Sequence, residues 1–158
     1  TVLAVAAFRL PWGLIGSRYA RFTQFVRPPQ AVANYLGSLL RLQPDRHIGH
    51  NPAGGWAIVA LLGLALLTGI SGWATYNELA GHWLEELHEG LASAMLTVVI
   101  VHVAGVVSGS LVHGENLVRA MLTGRKEGSP EEAIPSARPF ASVALLAWII
   151  AAGWWLAS

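Results

Sequence analysis

The chain has 158 residues, 54% of them hydrophobic and only 12% charged, with a mean hydropathy of +0.50. Soluble domains carry about 25% charged residues, so the composition argues against a water-soluble globule and against a disordered chain. Ten Lys and Arg against nine Asp and Glu leave a net charge of +1, too balanced for a nucleic-acid binder, and zero cysteines exclude disulfides, iron–sulfur clusters and thiolate zinc sites. Any iron has to be held by histidine, of which there are six.

In chain order, residues 1–15 open directly inside an apolar run, without an initiator Met, a basic flank or a cleavage-site pattern. The segment reads as the tail of a membrane-spanning helix whose beginning lies upstream. In 30–41, Val32, Tyr35, Leu36, Leu39 and Leu40 recur at helical spacing, which predicts a helix lying flat on the membrane surface beside its arginines. Segments 55–72, 90–112 and 140–157 approach the roughly 20 apolar residues that a bilayer crossing needs. After Asn116, residues Leu117, Val118, Met121 and Leu122 predict a second interfacial helix. The stretch 127–139, with Pro130, Pro135 and Pro139, reads as a linker to the last helix. The apolar runs are continuous rather than alternating, so strands are disfavoured and the expected fold is an all-α transmembrane helical bundle.

Loop charges predict the orientation. Residues 16–54 hold Arg18, Arg21, Arg27, Arg41 and Arg46 against the single acid Asp45. Residues 73–89 hold no Lys or Arg and four acids, Glu78, Glu85, Glu86 and Glu89. Arg119, Arg125, Lys126 and Arg138 follow in the third loop. The first and third loops are expected on the cytoplasmic side, the acidic loop and the C-terminus outside. Trp73, Tyr76, Trp83, Trp154 and Trp155 sit where an outer aromatic belt is expected.

Ionisable residues inside a span are costly and usually functional. His102 is thirteenth in the 23-residue run 90–112, and His88 lies at the outer mouth of the same helix. Fourteen residues separate them, close to four turns, so both project from nearly one face about 21 Å apart along the axis. Leu91, Met95, Val98 and Val99 lie on that face between them. One metal ion cannot reach both histidines; two stacked haems can each take one. Ala92, Ser93, Ala94, Ala104, Gly105, Ser108 and Gly109 provide small residues against which a porphyrin can lie, and Gly105 and Gly109 also fit simple helix packing. His47, His50, His82 and His113 read as solvated or capping residues. Arg9, near the inner end of the first helix, either snorkels to the headgroups or pairs with a haem propionate.

The run LHEGLASAMLTVVIVHVAG (87–105), the tail HGENLVRAMLTGRK (113–126), GHNPAGG (49–55) and FRLPWGLIGSRYARF (8–22) together resemble the bacterial cytochrome b561 and nickel-hydrogenase cytochrome b family. The resemblance implies a four-helix bundle in the bacterial inner membrane that holds two b-type haems between paired histidines. Two of those ligands match His88 and His102, and their partners are expected in two helices that lie largely upstream of residue 1. Residues 1–126 then form the cytochrome b561-like domain, 127–139 the linker and 140–158 an additional C-terminal transmembrane helix.

The implied function is electron transfer across the membrane between a quinone, such as ubiquinone or ubiquinol, and a redox partner. That partner is a cytochrome c-like or other redox protein, met freely or within a larger membrane complex. The rival reading is a membrane anchor or assembly subunit of a redox or photosynthetic complex, with haem structural or absent. A histidine-based metal or proton transporter is disfavoured by the 14-residue gap.

Overall fold

The computed structural model describes residues 2–41, 47, 49–79, 81–124, 131, 133–134 and 139–157, and the regular structure among them is entirely helical. Most of the linker expected at 127–139 lies outside the described residues, as do Arg46, Arg125, Lys126, Arg138 and the side chain of Trp155.

Helix α1 (Val2–Ile15) runs into a single 3₁₀ turn (Arg18–Ala20) and α2 (Phe22–Phe25). Then come α3 (Pro29–Leu40), α4 (Pro52–Tyr76), α5 (Trp83–His113), α6 (Leu117–Thr123) and α7 (Pro139–Ala157). The two expected interfacial helices are α3 and α6. The 3₁₀ turn and α2 were not signalled by periodicity, being too short to show one.

Four crossings were expected, and two helices are long and apolar enough by themselves: α4 with 25 residues and α5 with 31. Helix α1 and the described apolar part of α7, Phe140–Trp154, are shorter. Both long helices overrun the predicted spans because their polar ends continue the helix. At 31 residues α5 is about 46 Å long, half again the hydrocarbon thickness. Glu85 and Glu86 in its first turn can therefore stand in the headgroups.

The antiparallel hairpin of α4 and α5 is the centre of the molecule. Helices α1, α2 and α3 lie against α4, α6 folds back on α5, and α7 packs on α1. The Trp148 indole of α7 donates from Nε1 to the Ala4 carbonyl of α1 at 2.9 Å, a polar tie between two otherwise apolar surfaces.

Several motif residues prove to be helix punctuation. Asn51 is the N-cap of α4, its side chain accepting from the Gly54 amide at 2.7 Å, with Pro52 in the first turn where its missing N–H costs nothing. Asn116 caps α6 in the same way, accepting from the Arg119 amide at 2.8 Å, and Gly114 and Gly124 end α5 and α6 in left-handed conformation.

Gly55 is buried and a Cβ there meets the Phe25 carbonyl, so glycine is what lets α2 seat on the start of α4. Phe25 is the most buried large side chain, 1% exposed. Gly55→Ala is expected to cost about 1–3 kcal/mol. Thermal unfolding in detergent should show a clearly lowered midpoint, whereas Gly63→Ala, at a position with open space around the Cβ, should not.

Candidate functional site

The half-buried side chains of α5 follow a seven-residue rhythm. His88, Met95, His102 and the buried Gly109 lie at seven-residue steps, with Leu84, Leu91 and Val98 on the companion line. That stripe faces α4, and both histidines occupy it at the same register. Val99, expected on this face, points away and is exposed.

His88 is fixed by α4. Its Nδ1 lies 3.1 Å from the Thr68 carbonyl oxygen and 3.1 Å from the Ser71 hydroxyl. A carbonyl only accepts, so Nδ1 carries the hydrogen and Nε2 carries the lone pair. Gly72 makes room for the ring, since a Cβ there meets His88 Cε1 at 2.8 Å. Histidines that bind metal characteristically donate the second ring N–H to a carbonyl in this way. Nε2 makes no hydrogen bond among the described residues, and the donor set thus fits an iron ligand.

Around this anchor, α4 presents Thr68, Ser71 and Thr75 toward α5. The hydroxyls of Thr68 and Thr75 are buried without a hydrogen-bond partner among the described residues. Plain helix packing does not need hydroxyls here, and orphaned polar atoms in an apolar seam mark a place where something other than packing sets the residue type.

The flank of α5 away from α4 is open. Gly90, Ser93, Ala94, Ala104, Gly105 and Ser108 are all exposed. No described atom stands within 4 Å of a Cβ built on Gly90 or Gly105. These small residues leave space for a flat group or another helix. Gly109 does not belong with them: it is buried and a Cβ there meets Leu117 at 3.3 Å, so its smallness serves the packing of α6.

At the arginine-rich end, His102 makes no hydrogen bond among the described residues. Near it stand His50 and Arg9, each in electrostatic contact with the next. Arg9 donates to the Ala20 carbonyl at 3.0 Å, and its guanidinium lies 5.7 Å from the Phe22 ring and 6.0 Å from the Phe25 ring. The His50 ring packs on Phe25 at 5.4 Å, which makes it part of this cluster rather than a solvated cap. Beside Arg9, a cavity of about 800 Å³ opens between α1, α4 and α7, lined by apolar residues such as Val2, Phe8, Ile58 and Leu62 with Ser17 and Ser142.

The remaining histidines are accounted for otherwise. His82 pairs with Glu85 at 3.0 Å and Glu86 at 3.7 Å on the exposed acidic end. His113 bonds back to the Gly109 carbonyl at 2.8 Å, and His47 stands edge-on to Tyr35. No group of three His, Asp or Glu side chains among the described residues is placed to hold a metal ion alone.

A family model described as prokaryotic cytochrome b561 matches residues 1–124, which takes in α1 to α6 with both histidines and leaves α7 outside. No curated protein and no solved structure matches the chain.

Although part of its surface is open, His50 is held below the usual imidazole range, first by loss of water and then by the nearby Arg9 guanidinium and His102 ring. The unfolded chain therefore takes up a proton near the ordinary value of 6.5 while the folded chain resists it. Stability from this group is present above that pH and lost as pH falls below it. In detergent-solubilised protein, His50→Gln should flatten the loss of thermal stability on acidification between about pH 7 and 5; an unchanged slope would show that His50 does not carry it.

Proposed function

Because this chain belongs to the prokaryotic cytochrome b561 family, it is a membrane b-type cytochrome of electron transfer, and we propose that it carries electrons across the bacterial inner membrane between a quinone and a redox protein through two haems held along α5. His88 and His102 would each hold one haem iron through an imidazole nitrogen, with a second imidazole from another helix expected for each. Haem b bound there would supply a one-electron iron couple.

The observation that carries this reading is the His88 ring, locked by the Thr68 carbonyl with no hydrogen bond on Nε2 among the described residues, on the same stripe as His102. About 21 Å along the axis separates the two, so each serves its own iron. Arg9 uses one of its five N–H donors on Ala20, which leaves donors for a haem propionate at the His102 end. The cavity beside Arg9 has the size and apolar lining of a small-molecule site and supports quinone access at that end. At the opposite end Glu78, Glu85, Glu86 and Glu89 form a surface without a Lys or Arg, suited to a basic cytochrome c-like partner. The arginine asymmetry of the loops supports a cytoplasmic His102 end and a periplasmic acidic end and C-terminus.

One observation favours the rival anchoring role: α7, beyond the family match, is docked on α1 through Trp148. Reduced-minus-oxidised spectra of the full-length protein separate the two readings. The cytochrome reading expects haem b absorption, with His88→Ala and His102→Ala each removing a different one of two haem components. Full haem content in either variant overturns that ligand assignment. A wild-type protein without haem overturns the cytochrome reading in favour of the anchor.

A further inference from the structure

Ser71 is buried, 5% exposed in the seam between α4 and α5. A hydroxyl in such a place costs free energy unless it is used. It donates to the Thr68 carbonyl at 3.1 Å, which leaves its lone pairs for the His88 Nδ1–H, also at 3.1 Å. That N–H is therefore shared between two acceptors of α4, the carbonyl and the hydroxyl. Alanine would fill the seam as well; what serine adds is the second acceptor.

His102, on the same stripe, has no hydrogen bond among the described residues. The two imidazoles thus differ as electron donors. Acceptors on Nδ1–H raise the basicity of Nε2, and a more basic ligand favours oxidised over reduced iron. The surroundings reinforce the difference: Glu85, Glu86 and Glu89 flank His88 on α5, whereas His102 stands near His50, which in turn stands near the Arg9 guanidinium.

We propose that Ser71 is a positioning residue which, with the Thr68 carbonyl, makes His88 the stronger ligand and holds its haem at a lower midpoint potential than the haem on His102. The inference rests on the reading that both histidines ligate haem. The two haems are then unequal by construction, and the inequality is written on α4, which carries neither ligand.

The test is a redox titration of full-length wild type, Ser71→Ala and Ser71→Cys, with the haems assigned by their loss in His88→Ala and His102→Ala. In wild type the His88 haem should titrate at the lower potential. Ser71→Ala should raise it and narrow the gap, leaving the His102 haem unmoved, and the low-spin electron paramagnetic resonance signal of the His88 haem alone should shift. Ser71→Cys, which keeps a weak acceptor, should fall between the two. An unchanged His88 potential in Ser71→Ala with both haems bound, an equal shift of both haems, or a reversed wild-type order would overturn the inference while leaving the ligand assignment standing. A wild-type protein lacking either haem would overturn the assignment itself.

Discussion

A single shared hydrogen joins the two longest helices of this protein. The His88 Nδ1–H, divided between the Thr68 carbonyl and the Ser71 hydroxyl, fixes the register of α5 on α4, the orientation of the imidazole and the tautomer it adopts. In a bilayer the apolar stripe gives helices little reason to prefer one rotation over another, because lipid is as apolar as leucine. A buried imidazole that must meet a carbonyl removes that freedom. Gly72 completes the arrangement by letting the ring lie against the α4 backbone.

The two ends of the hairpin are chemically opposite. Around His88 the neighbouring α5 charges are carboxylates; at the His102 end the cation is the Arg9 guanidinium, gathered with the His50 ring by Phe22 and Phe25. The short α2 matters for that reason. It brings two aromatic faces under Arg9 and closes on the start of α4 through Gly55, so that residues far apart in the chain meet beside His102. The two ends of the hairpin thereby differ in charge, acidic beside His88 and basic at the Arg9 cluster.

Much of this was legible in the residues. Continuous apolar runs specified helices, the 14-residue gap placed His88 and His102 on one stripe, and the segments resembling cytochrome b561 indicated the family to which the chain belongs. Other features were hidden, each for a physical reason. Ser71 and Thr68 are unremarkable within a hydrophobic helix; only the packing of α5 shows that they meet an imidazole. His50 looked like a loop residue because its partners, Arg9 and Phe25, reach it through tertiary contacts that periodicity does not encode. Gly109 was grouped with the residues that leave room for a porphyrin, but α6 occupies the space beside it. The GHNPAGG segment, one of those that carry the family resemblance, is in large part a cap: Asn51, Pro52 and Gly54 start α4, and Gly55 admits α2.

The central claim is that Nε2 of His88 and a ring nitrogen of His102 each hold iron. Anomalous difference density collected at the iron edge from crystals of the full-length protein tests it most directly. The account predicts two peaks, one in bonding range of each imidazole, separated along α5 by roughly the 21 Å of fourteen helical residues. Iron absent beside either histidine, or a single peak between them, would contradict it.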